Sequence, residues 1–82
     1  MTPIEGPFIA EIPAEHRKNG VHWLMLQKEV DSGGWLLLGH RTLEEGSEFD
    51  SWHLTRDEAL REAELHWGVL SARWRPDLRI VE

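Results

Sequence analysis

Phe49-Asp50-Ser51-Trp52-His53-Leu54-Thr55-Arg56-Asp57-Glu58-Ala59-Leu60-Arg61-Glu62-Ala63-Glu64-Leu65-His66-Trp67-Gly68-Val69 is the stretch whose start, body and stop all follow from residue chemistry. Thr55 is placed to accept from the free N–H groups of a first helical turn, and Glu58 to reach back to the N–H of Thr55, which is a capping box. Asp57 and Glu58 put negative charge at the positive end of the helix dipole. Ala59, Leu60, Ala63 and Trp67 recur on one face. The alanines allow close approach to a sheet, and Trp67 ends the stripe with bulk. Gly68 supplies a left-handed stop, with Val69 placed for the closing hydrophobic contact. Phe49 to Leu54 is then expected as a short strand feeding the cap.

Upstream, Val21 to Val30 is rich in β-formers and leads into Asp31-Ser32-Gly33-Gly34, a turn signal, followed by Trp35 to Leu43 as the return strand. A three-residue loop would oppose Val30 to Leu36, because turn geometry fixes register. One face would then carry Leu24, Leu26, Val30, Leu36 and Leu38, and the other Trp23, Met25, Trp35 and Leu37. A loop of two or four residues reshuffles these sets, yet leaves both faces apolar. A half-exposed antiparallel sheet is expected to show one polar face, and one helix covers only one side. Either the N-terminal segment and a tail anchored by Trp74 lie across the second face, or another chain does.

Residues 1–20 are punctuated by Pro3, Gly6, Pro7, Pro13 and Gly20 and read as an irregular segment. Phe8 to Ile12 is compatible with an edge strand, where bordering prolines are tolerated. Ala14 to Asn19 reads as a loop. Residues 70–82 form the Trp74 tail, with Leu78 to Val81 a candidate terminal strand. The expectation is a single α+β domain over 1–82: a three- to four-stranded antiparallel sheet in β-β-β-α order, with the helix on one face.

The hairpin, Phe49-Asp50-Ser51-Trp52-His53, the capped helix with Glu58-Ala59 and Ala63-Glu64, the Trp67-Gly68-Val69 ending and the later Trp74 resemble small uncharacterised bacterial proteins over about residues 20–75. That resemblance implies a fold and no activity.

Composition narrows the function. A chain of 82 residues without cysteine has neither disulfides nor thiolate–zinc sites to support a small core. Its five tryptophans are the substitute, each able to bury on the order of 200 Å². The net charge of −6 is concentrated between Glu44 and Glu64, where only Arg56 and Arg61 offset the acids. This disfavours nucleic acid and anionic membrane as partners; the plain explanation is a solvated face. The N-terminus lacks a signal-peptide pattern, and no apolar run approaches the roughly 20 residues of a membrane span, so a cytoplasmic location is the expectation.

The five histidines (16, 22, 40, 53 and 66) show no metal-ligand spacing. In the three-residue-loop register His22 and His40 share a face but lie roughly 13 Å apart. No serine sits in a nucleophile elbow, and Asp50, Ser51 and His53 cannot form a triad locally because adjacent strand residues point to opposite faces. No cofactor, metal or catalytic residue is assigned, and a non-catalytic protein is expected. The partner expected is a protein, self or other. Trp23, Met25, Trp35 and Leu37 form the apolar docking face, and Glu44, Glu45, Glu48 and Asp50 the acidic flank. Alternatives are an immunity-type inhibitor whose acids steer it onto a basic site, or a small-molecule or enzymatic domain, which needs a concave pocket with convergent polar groups.

Overall fold

The computed structural model describes residues 7–77. It is an α+β fold in which a five-stranded antiparallel sheet carries one helix on one face. The strands are β1 (Phe8–Glu11), β2 (Trp23–Lys28), β3 (Trp35–His40), β4 (Phe49–His53) and β5 (Arg75–Pro76), in the spatial order β4-β3-β2-β1-β5. The helix, α1, is Arg56–Trp67, between β4 and β5. The strand count exceeds the three or four expected because the proline-bordered segment at Phe8 pairs along the whole of β1 with β2. A two-residue strand, β5, then pairs with β1 at Phe8 and Ile9. Its Pro76 sits on an outer strand, where a missing N–H is tolerated. The suggested strand at Leu78 to Val81 lies outside the described residues.

The helix begins and ends where residue chemistry places it. Thr55 Oγ1 accepts from the Glu58 N–H at 3.2 Å, and Gly68 takes the left-handed conformation at φ 65°. The reciprocal half of the box differs by one residue: Glu58 Oε2 accepts from the N–H of Leu54 at 3.2 Å rather than from that of Thr55. Ala59, Ala63 and Val69 are fully buried against Leu24, Leu26 and Leu37, with Leu60 and Trp67 packed beside them. The Trp67 ring stacks on Phe49 at 5.2 Å between centroids, and Lys18 Nζ stands 5.0 Å from the Trp67 ring centroid. Lys18 is held there by a tight turn at Asn19 (φ 52°) and Gly20 (φ 79°), closed by the Val21 N–H donating to Lys18 O at 2.9 Å. Two consecutive left-handed residues are the signature of an Asn-Gly reversal. Part of the expected loop at Ala14 to Asn19 is instead a single 3-10 turn, Ala14–His16, leading into this reversal.

The hairpin register departs from the three-residue expectation. The Glu29 N–H donates to Gly34 O at 2.8 Å, and the Gly33 N–H to Glu29 O at 2.9 Å. The loop therefore has four residues, 30–33, and Lys28 opposes Trp35 while Leu26 opposes Leu37. Val30, expected in a facing pair, is 90% exposed. The cause lies in the two glycines. Gly33 takes the left-handed conformation at φ 76°, which leaves Gly34 opposite Glu29 at the mouth of β3, where a Cβ would overlap the indole of Trp52. Ser32 Oγ fixes the loop by accepting from the Gly34 N–H at 3.2 Å and from Trp52 Nε1 at 2.9 Å.

A register change of odd size turns one strand's side chains over relative to the other's. Trp35 and Leu37, expected on the docking face, are core residues on the helix side, 8% and 0% exposed. Leu36 and Leu38, expected with Leu24 and Leu26, lie on the opposite face with Trp23 and Met25, since Gln27 opposes Leu36 and Met25 opposes Leu38. His40 opposes Trp23, so His22 and His40 point to opposite sides instead of sharing one.

Candidate functional site

Because paired residues of antiparallel strands share a face, the side of the sheet away from α1 follows from the register. Its central row, read across the strands, is Arg75 (β5), Ile9 (β1), Met25 (β2), Leu38 (β3) and Asp50 (β4). One flanking row holds Glu11, Trp23 and His40, and the other holds Gln27, Leu36 and Trp52. Trp23, Met25, Leu36 and Leu38 are half-buried, Ile9 is 5% exposed, and Trp52 is 48% exposed. Within residues 7–77, the parts of the two segments offered as a cover take other positions. The N-terminal segment extends the sheet as β1, and Trp74 packs into the core on the helix side, where it borders a cleft with Phe8, Leu26 and Leu60.

This face has rims of opposite charge. On the β4 side, Asp50 is exposed on the face, and the loop between β3 and β4 presents Glu44, Glu45 and Glu48. That loop is tied to the sheet at two points, through His40 and Gly39, and closed on itself at a third. His40 Nδ1 lies 3.1 Å from Glu45 O, the Glu48 N–H donates to Gly39 O at 2.7 Å, and Arg41 Nε donates to Glu48 Oε1 at 2.8 Å. The hydrogen bond to Glu48, reinforced by its charge, holds the Arg41 guanidinium protonated above its ordinary range. His40 is 7% exposed, and its Nε2 is buried with no hydrogen-bond partner among the described residues.

On the β1–β5 side a cleft of about 410 Å³ is bordered by Arg17, Arg73, Arg75, Glu11 and Trp23. Arg17 is committed within the chain, donating to Ile12 O at 2.9 Å and to Glu11 Oε2 at 3.2 Å. Arg73 and Arg75 are exposed.

Of the residues expected at the site, the fold brings Trp23, Met25 and Asp50 onto one face, sets Glu44, Glu45 and Glu48 in the loop at its edge, and removes Trp35 and Leu37 to the core. Sequence reasoning missed Ile9, Leu36, Leu38, Trp52 and Arg75. For Leu36, Leu38 and Trp52 the local signal was the second glycine of the Gly33-Gly34 pair.

Ser51 Oγ and His53 Nε2 lie 2.9 Å apart, which sequence reasoning also missed. They sit two residues apart on the helix side, with Asp50 on the other face, so these three residues do not form a triad among themselves. Neither cleft described above includes them. No group of three or more His, Asp or Glu side chains among the described residues converges as a metal site requires. No helix among the described residues is long and apolar enough to cross a membrane. Comparison with protein-family models, with curated proteins and with solved structures gave no match.

Proposed function

We propose that this chain is a non-catalytic protein-interaction module that works by burying the helix-free face of its sheet against another protein surface. The observation that carries the reading is the half-buried cluster of Trp23, Met25, Leu36 and Leu38, which has no covering element among the described residues. Contiguous apolar surface on a small domain marks a contact site, and the aromatic and methionine content is that of interface centres. The charged rims fit the same reading, since they set orientation and encounter rate more than affinity.

The test is Leu38→Lys, followed by thermal unfolding and by binding of a hydrophobic dye at sub-micromolar chain concentration. The reading expects an unfolding midpoint within a few degrees of the natural chain's and reduced dye binding. Loss of several kcal/mol of stability, with no dye bound by the natural chain, would mean that the face is covered core and would remove the reading.

A further inference from the structure

We infer that the surface received by this face is the same face of a second copy of the chain, packed with its strands running in the same direction as those beneath. The inference rests on the docking reading above and adds the partner and its orientation.

The central row runs basic, apolar, apolar, apolar, acidic: Arg75, Ile9, Met25, Leu38, Asp50. It has a middle, Met25 on β2, and the sheet has the same middle, with two strands on either side. A contact between identical faces is organised by a two-fold axis lying between the two sheets. If that axis runs across the strands, β4 falls on the partner's β4 and the acidic edges meet. If it runs along β2, the row is laid on itself reversed, so that Arg75 meets the partner's Asp50, Leu38 falls over the partner's β1, whose Ile9 is itself only 5% exposed, and Met25 lies on the axis.

Like charges opposed at a contact cost several kcal/mol, and unlike charges set the register. The charge pattern therefore selects the axis along β2. Packed sheets stand about 10 Å apart, a gap that an extended arginine and a short aspartate bridge together. The same operation puts the exposed Arg73 at the edge opposite the partner's acidic loop. A heterologous partner would need an apolar centre with the reverse rim charges, and this face already has that pattern. Strand spacing makes the face roughly 19 Å wide, at the small end of specific interfaces, so dissociation in the micromolar range is expected.

The experiment is sedimentation equilibrium on the full chain and on Asp50→Arg, Arg75→Asp, the double variant and an equimolar mixture of the two single variants. The natural chain is expected to form a two-chain species. Each single variant, which places like charges at both ends of the row, is expected to dissociate at least about tenfold more readily. The double variant and the mixture are expected to recover association, the mixture as one chain of each kind. A natural chain that stays monomeric at hundreds of micromolar overturns the inference. So does dimerisation indifferent to both charge reversals. In either case the docking reading stands or falls separately on the Leu38→Lys stability and dye measurements. Circular dichroism of each variant distinguishes loss of the dimer from loss of the fold, and a double variant that folds yet fails to associate also overturns the inference.

Discussion

Leu37 and Leu38 are neighbours on one strand with equal hydrophobicity and opposite situations. Leu37 is fully buried beneath α1, among Leu24, Leu26, Ala59 and Ala63. Leu38 is half-buried in the central row of a face that no helix covers. The alanines of the helix pack on the leucines of the sheet on one side, whereas no helix among the described residues lies on the other, where Ile9 and His40 are buried and Trp23, Met25, Leu36 and Leu38 half-buried. Hydrophobic residues on both sides of a strand are the pattern of a strand buried twice. Among the described residues only one side is packed under a helix, which is the basis of the docking proposal.

The sharpest way to break this contrast is to place the same charge on each side. Leu37→Lys is expected to lose several kcal/mol, because an unpaired ammonium cannot be accommodated in the core; this is comparable to the whole stability of a small domain, so no cooperative thermal transition should remain. Leu38→Lys should retain its transition within a few degrees. Equal damage from both would erase the distinction between the faces.

Trp67→Ala sharpens the covered side alone. Removing the ring that stacks on Phe49 and meets Lys18 should cost about 3–5 kcal/mol in urea unfolding. A smaller effect follows on the open side from Gly34→Ala. The added methyl displaces the Trp52 indole and breaks its bond to Ser32, for about 1–3 kcal/mol, the range of local overpacking. The Trp52 indole N–H resonance should shift while the core tryptophan resonances stay in place. Least of all, Thr55→Ala should cost about 1 kcal/mol through loss of the helix cap, leaving both faces intact.

The helix was legible because its signals are local: Thr55, Glu58 and Gly68 act on backbone groups within one turn of themselves. The existence of the hairpin was legible for the same reason. Its register was not, because that depends on Trp52, twenty residues from Ser32 along the chain, claiming the space beside Gly34. Once the register moved, the docking set changed with it. Trp23 and Met25 stayed on the helix-free face, while Trp35 and Leu37 exchanged places with Leu36 and Leu38. That both faces would be apolar survived the change, since it depends on composition along the two strands and not on their alignment. Arg75 and Ile9 could not be placed from their neighbours, because only long-range pairing of β1 with β2 and β5 carries them into the row.

The most direct measurement is an isotope-filtered nuclear Overhauser spectrum on an equimolar mixture of labelled and unlabelled chain. The account predicts intermolecular contacts from the methyl groups of Met25, Leu36 and Leu38, with none from Leu24, Leu26 or Leu37. Contacts arising instead from the exposed Leu65 and Leu70, or none at concentrations of hundreds of micromolar, would contradict it.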